Sequence, residues 1–369
     1  MAGLLSIVNA LRHSAVSLEH FGPITIYRDT ICVGNSAVAA RCRINGIEGD
    51  RLIKCYFRPR RNAPLLYGAS YYPREMAIYS IEGRKELVDV ALTEWIDGVP
   101  LDRYVGREEC DFRVLSRAFD TFALRQLAEE YAHGDIKPEN IVVRDDGSLR
   151  LVDMDAAWRE EFDPSDVEEC GTPEFCHPKR ELARFDKHID DFPLALLSVI
   201  FAASAIDPVS FRGAVERGRL LFSPTLIATG GDAAFERAKW LLLGAGDVAH
   251  YNIALSLELG SGVIPELGEL LSAALSSGEQ HKENRERVGI DASTLRDAND
   301  SDALTAERDG GPWRADDEER LMLMVVDGHT TESIARRLHR SERDVHRHIR
   351  KLGLPATPNL TSPADYDEE

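Results

Sequence analysis

Between His133 and Asn140 the chain sets an acid, a cation and an amide at short spacing, in His133-Gly134-Asp135-Ile136-Lys137-Pro138-Glu139-Asn140. Asp135, Lys137 and Asn140 fit on one tight loop. That loop runs into an apolar strand, Ile141 to Val143, and turns at Asp145-Asp146-Gly147. The chain then returns as a second strand ending in Leu151-Val152-Asp153-Met154-Asp155. An out-and-back pair of this kind brings Asn140 and Asp153 close together. Both offer hard oxygen donors, which suit Mg²⁺ bridging nucleotide phosphates. Phosphoryl transfer asks for positioning and charge neutralisation more than covalent chemistry. Asp135 would orient an attacking hydroxyl and accept its proton, and Lys137 would neutralise the moving phosphoryl group.

The flanking sequence contains elements able to hold such a loop. From about 20 to 95, apolar runs alternate with turn signals in PITIYRDTICVG, RLIKCYF, MAIYSIEG and LVDVALTEWI, the pattern of an antiparallel sheet. From about 100 to 275 the pattern is mostly helical. Its most apolar run, Phe192 to Ile206, is interrupted by Pro193 and falls short of the ~20 residues that span a bilayer, so it predicts a buried helix. Strands followed by helices imply an α+β architecture with two lobes. Residues 276–312 are polar and nearly free of aromatics, and read as a flexible linker. A compact helical segment follows at 313–355, and the acidic tail at 356–369 reads as disordered.

The formal net charge of −19 opposes wholesale attraction to nucleic acid or anionic lipid, so contact with DNA requires a local basic face. Six scattered cysteines, with no CxxC pair and no zinc spacing, read as reduced thiols in a cytoplasmic protein. Cys170 and Cys176 flank the segment Gly171-Thr172-Pro173-Glu174-Phe175. The start, MAGLLSIVNALRH, has an apolar run but neither a charged leader nor a small-residue cleavage site, and is not read as a signal peptide.

With HGDIKPEN standing for the catalytic loop HxDxKxxN and DMD for the metal-binding DFG, residues 20 to 275 resemble the protein-kinase superfamily. The resemblance implies a bilobal fold, with an N-lobe and hinge at 1–98 and a C-lobe at 99–275, using ATP and Mg²⁺. It makes Lys54 the strand lysine that holds the α- and β-phosphates, with Glu75 as its best-placed acidic partner. Gly34 and Ser36 fall in the nucleotide loop, which keeps one glycine where the family pattern has up to three. Glu94 and Ile96 fall in the hinge, where backbone groups would meet the adenine edge. Asn140 and Asp153 become the metal ligands. Thr172 and Pro173 lie in the loop that docks a peptide substrate, and Asp190 braces the catalytic loop from below.

Departures from the family pattern carry their own expectations. Pro59, Pro64 and Pro73 break the segment that should form the helix bearing the glutamate. Gly134 replaces the usual arginine, which argues against activation by loop phosphorylation. The first reading is a divergent Ser/Thr protein kinase. HGD with a D-x-D strand end also resembles small-molecule kinases of the aminoglycoside and choline type, whereas GTPEF and Lys137 favour a protein acceptor. A third reading is a nucleotide-binding pseudokinase regulator that binds DNA.

Trp313 to Leu354 reads as three short helices: Ala315 to Val326, a second capped at Thr330 or Thr331, and a third capped by Ser341 with Asp344. Trp313, Gly328, Ile334-Ala335, Arg340-Ser341, Val345 and Lys351-Leu352-Gly353-Leu354 give it a resemblance to Myb/SANT-like helix-turn-helix modules. In such modules the last helix enters the major groove. Arg343, Arg347, Arg350 and Lys351, with His346 and His348, would form its basic face, and the partner is then DNA or a protein.

Overall fold

The computed structural model describes residues 3–80, 82–163, 169–180, 185–211, 222–259, 262–288, 313, 318, 321, 324–325, 331–338 and 340–352. The expected acidic tail and residues 289–312 of the expected linker lie outside them. The chain is mixed α+β and divides into two compact units. One gathers residues 1–101, 130–172 and 180–190, so it crosses the boundary expected at residue 98.

In this first unit β1 (Ile24–Ile26), β2 (Cys32–Val33), β3 (Ala37–Ile44), β4 (Arg51–Tyr56), β5 (Tyr71–Tyr79) and β6 (Lys85–Glu94) form one antiparallel sheet. Its order is β1-β3-β4-β6-β5, with β2 also paired to β3. Alternation along the strands sends successive side chains to opposite faces. On one face Val38, Ala40, Ile53, Cys55, Val90 and Leu92 form a core, closed by Ile7 and Leu11 of the helix Leu4–Arg12. The apolar run at the start of the chain is therefore core-forming. On the other face Lys54 lies between Ala39 of β3 and Ala91 of β6, two small neighbours that leave its stem room.

After β4 the prolines act as expected. Pro64 sits in the first turn of a helix of only five residues, Ala63–Tyr67, which a 3₁₀ turn at Gly68–Ser70 ends. The loop from His133 to Asn140 is flanked by short strands. β7 (Val99–Pro100), β8 (Tyr131–Ala132), β9 (Ile141–Val143), β10 (Leu149–Leu151) and β11 (Trp158–Arg159) make two small sheets, β10-β9-β7 and β11-β8.

The second unit gathers residues 102–129, 173–179 and 191–369, and up to residue 288 it is built mainly from the helices Phe112–Leu127, Asp191–Ile206, Ala233–Gly244, Val248–Glu258 and Leu267–Val288. The expected buried helix is present as Asp191–Ile206, with every residue from Asp191 to Ser204 buried. A helix apolar all round is stable only inside a core. The last helix, Leu267–Val288, runs through residues 276–288, where the linker was expected to begin. That stretch is rich in Glu, Gln, Lys and Arg, which are polar but good helix formers, so polarity alone misplaced the boundary. Toward the C-terminus a separate small core joins Leu321, Met324, Val325, Ile334, Ala335, Leu338, Val345 and Ile349. Among the described residues no helix is long and apolar enough to cross a membrane, and all six cysteines are free thiols.

His250 ties the helical unit together: its Nε2 lies 3.0 Å from Asp120 and its Nδ1 2.7 Å from Asp247. Asp120 also accepts the Ser198 hydroxyl at 2.6 Å. Burial works against the imidazolium, but the two carboxylates outweigh it and raise its pKa from 6.5 to about 10. A raised folded-state pKa means the stabilisation is fully present below about pH 6.5 and is lost as pH rises through about 10. Urea denaturation followed from pH 6 to 10 should show stability declining across that window. His250→Gln should lose ~3 kcal/mol at pH 6 and show a flatter profile.

Candidate functional site

The loop from His133 to Asn140 is fastened from several directions. Asp190, 3% exposed, accepts the backbone N–H of His133 at 2.5 Å and that of Gly134 at 2.9 Å. Its burial pushes the carboxyl pKa up. The expected brace is thus in contact with the loop. The buried His133 ring lies 2.9 Å from the Val152 carbonyl through Nε2, which assigns the proton to that nitrogen. Its Nδ1 then accepts the Asp135 N–H at 3.3 Å.

Gly134 adopts a left-handed backbone, φ +81°, and a Cβ placed there would lie 2.0 Å from the Ala156 carbonyl oxygen. The absence of arginine at this position is therefore a local steric requirement. The carbonyl of Gly134 accepts from Arg180 at 2.9 Å.

Asp135 sits at the centre of the loop. One of its oxygens is 2.8 Å from Lys137 Nζ, and the other accepts the Thr172 N–H at 2.7 Å. Lys137 also donates to the Thr172 hydroxyl at 2.8 Å. The Asn140 amide nitrogen donates to the Asp135 carbonyl at 2.9 Å and to its carboxylate at 3.0 Å, which fixes the amide's orientation and turns its oxygen away from Asp135. Burial opposes the charge of Asp135, but Lys137 and Thr172 hold its pKa below the ordinary carboxylate value. It is consequently ionised at neutral pH.

The β9–β10 pairing sets Leu151 against Ile141, and the Val152 N–H meets the Asn140 carbonyl at 2.9 Å. Asn140 and the Asp153 strand end are neighbours, as the hairpin spacing predicts. Asp153 has φ +66° and a side chain half exposed. Lys54 Nζ lies 2.5 Å from Asp153 Oδ1 and 2.7 Å from Asp155 Oδ2.

The surroundings of Asp155 were not anticipated. Its side chain is 4% exposed. Oδ1 accepts the hydroxyls of Tyr56 at 3.0 Å and Tyr67 at 2.7 Å, and Oδ2 accepts that of Ser36 at 3.3 Å. Arg60 donates to the Asp155 carbonyl at 3.1 Å and pairs with Glu169 at 2.7 Å. Burial opposes the charges of both Lys54 and Asp155, yet Asp153 and then Asp155 keep the lysine pKa raised, and Lys54 keeps the Asp155 pKa lowered. Burial raises both tyrosine pKa values, so the phenols remain donors.

Glu75, expected to pair with Lys54, does not. It is 1% exposed and its carboxylate accepts the backbone N–H groups of Glu19 at 2.9 Å and His20 at 2.8 Å, with the His20 ring at 2.5 Å. The physical reason is the broken helix: with only Ala63–Tyr67 helical, Glu75 falls within β5. Asp155 stands at Lys54 instead. The D-x-D strand end was visible as a pattern, but nothing in sequence alone tied its second acid to Lys54.

Gly34 donates to the Ala37 carbonyl at 2.9 Å in the turn from β2 to β3, and Ser36 reaches Asp155. Glu94 ends β6 opposite Arg51, and Ile96 lies half-buried between β6 and β7. Pro173 opens the 3₁₀ turn Pro173–Phe175.

Near the C-terminus the helices Thr331–Leu338 and Glu342–Lys351 are present, and Ser341 caps the second by accepting the Asp344 N–H at 3.2 Å. Arg343, Arg347, Arg350 and Lys351 are exposed. His348 is not on that face. It is buried 2.7 Å from Glu318 and stacks on Trp313 with ring centroids 4.0 Å apart. Helical periodicity places it with Val345 and Ile349, toward the core. Arg340 covers Trp313 at 4.2 Å and pairs with Asp344 at 2.8 Å. Gly328, Thr330, Gly353 and Leu354 lie outside the described residues.

Substitution at Gly134 gives a direct test of the loop geometry. Gly134→Arg should destabilise the chain by ~3 kcal/mol through backbone strain and overlap with Ala156. Chemical denaturation of the variant beside the wild type measures this.

No protein-family model matches the chain, and a comparison with curated proteins gives no significant match.

Proposed function

We propose that the chain is an ATP-dependent phosphotransferase with a bilobal protein-kinase-like fold, acting as a divergent Ser/Thr protein kinase in the cytoplasm. The observation that carries this reading is the Asp135 constellation: an ionised carboxylate bonded to Lys137 at 2.8 Å, to the Thr172 N–H at 2.7 Å and to Asn140 at 3.0 Å. An acceptor hydroxyl presented to Asp135 gives up its proton to that carboxylate as its oxygen bonds to the γ-phosphorus and ADP departs. Lys137 is placed to offset charge on the moving group, and Lys54 to hold the α- and β-phosphates.

Among the described residues no three His, Cys, Asp or Glu side chains gather to hold a metal by themselves. Asp153 and the Asn140 oxygen fit a Mg²⁺ whose shell is completed by phosphate and water. When bound, that ion would neutralise phosphate charge.

Lys137 and Thr172 favour a protein hydroxyl over an aminoglycoside or choline, because the GTPEF segment itself supplies a partner to the base. Transfer from γ-labelled ATP, offered to the chain itself, generic proteins, aminoglycosides and choline, tests the reading. Asp135→Asn should lower transfer ~10²–10⁴-fold. Label found only on a small molecule would assign the small-molecule class. Nucleotide binding without turnover, indifferent to Asp135→Asn, would assign a pseudokinase regulator.

For the C-terminal module we propose duplex DNA as the partner. The supporting observation is the exposure of Arg343, Arg347, Arg350 and Lys351 on a capped helix whose other side is core. Binding of the full chain to duplex DNA should weaken with salt, with a log–log slope of about −3 to −4 for four phosphate contacts. Arg347→Glu with Arg350→Glu should abolish it. Binding untouched by that pair would overturn the assignment and leave a protein partner.

A further inference from the structure

A lysine that grips phosphates must be held by an acid that the ligand does not claim. Of the two carboxylates on Lys54, Asp153 is half exposed and is the one the proposed function assigns to a cation, while Asp155 is 4% exposed. Asp155 is also the more firmly fixed. The hydroxyls of Tyr56, Tyr67 and Ser36 and the ammonium of Lys54 together occupy both its oxygens, and Arg60 grips its carbonyl. Three of these donors come from the sheet and its turns, and Tyr67 comes from the shortened helix. A carboxylate so surrounded cannot rotate without stranding several buried donors.

We propose that Asp155 is the positioning residue for Lys54 in nucleotide phosphate binding, a role that rests on the phosphotransferase reading above. It does this from the 3₁₀ turn Met154–Ala156, which Asp153 immediately precedes as its N-cap, so the lysine anchor and the metal-site residue are two positions apart on one short segment. The same turn presents the Ala156 carbonyl to Gly134. Lys54, Asp153 and the Asp135 loop are thereby held in register by three consecutive residues. Among the described residues Lys54 pairs with Asp153 and Asp155, while Glu75 is committed to His20 and the backbone beside it.

The test is a double-mutant cycle on Mg·ATP affinity, measured by calorimetry on the full chain. Asp155→Asn should weaken binding about tenfold, and Lys54→Met by at least as much. Because Asp155 acts through Lys54, the double variant should bind no more weakly than Lys54→Met alone. A merely structural role would make the two losses multiply. Tyr67→Phe removes one hydroxyl from Asp155 without altering its charge, and serves if Asp155→Asn fails to fold. It should weaken binding about two- to threefold in the wild-type background and have no effect beside Lys54→Met. Losses that multiply, or a folded Asp155→Asn that binds as the wild type does, would overturn the role of Asp155 alone. Absence of Mg·ATP binding by the wild-type chain would overturn the phosphotransferase reading itself.

Discussion

An ammonium group 12% exposed cannot stay charged inside a protein unless acids follow it in. Lys54 satisfies that demand with Asp153 and Asp155, and much of the first unit is arranged around the consequence. β4 must run centrally for the lysine to be covered, and its neighbours on β3 and β6 must be small. Ala39 and Ala91 meet that requirement. The second acid then needs donors of its own, which two tyrosines and a serine supply. The resulting cluster exchanges few groups with water, so its geometry is set by packing as much as by charge.

Much of this was legible in order of sequence distance. The hairpin carrying Asn140 and Asp153 is a local feature, and its apolar strands around Asp-Asp-Gly reproduced the observed β9 and β10 closely. The four apolar runs cited for the sheet all fall on strands, because period-two alternation reports the face that each side chain takes. β3 was harder: AVAARCRI is small and mixed, and it becomes a strand through its neighbours. The Lys54 partner was a long-range question. Glu75 and Asp155 are both acids within reach of the family pattern, and only the path of the proline-broken segment decides between them.

The C-terminal helices show the same division between local and contextual signals. Ser341 was readable as a cap because its partner lies three residues away. His348 was assigned to the basic face by its type, although its position in the helical repeat put it with Val345 and Ile349. Periodicity was the better guide than charge. Likewise the boundary after residue 275 followed polarity, whereas the backbone followed helix propensity as far as Val288.

The close approach of Gly134 to Ala156 links two positions, 134 and 155, that look independent in the sequence. An acid at position 155 draws its turn toward Lys54, and the next carbonyl occupies the space that a side chain at 134 would need. The two sites are therefore epistatic. A side chain at 134 is excluded while the turn stays as it is, and glycine at 155 would strip Lys54 of its buried acid. Glycine at 134 is held in place by sterics, whatever chemistry the loop performs.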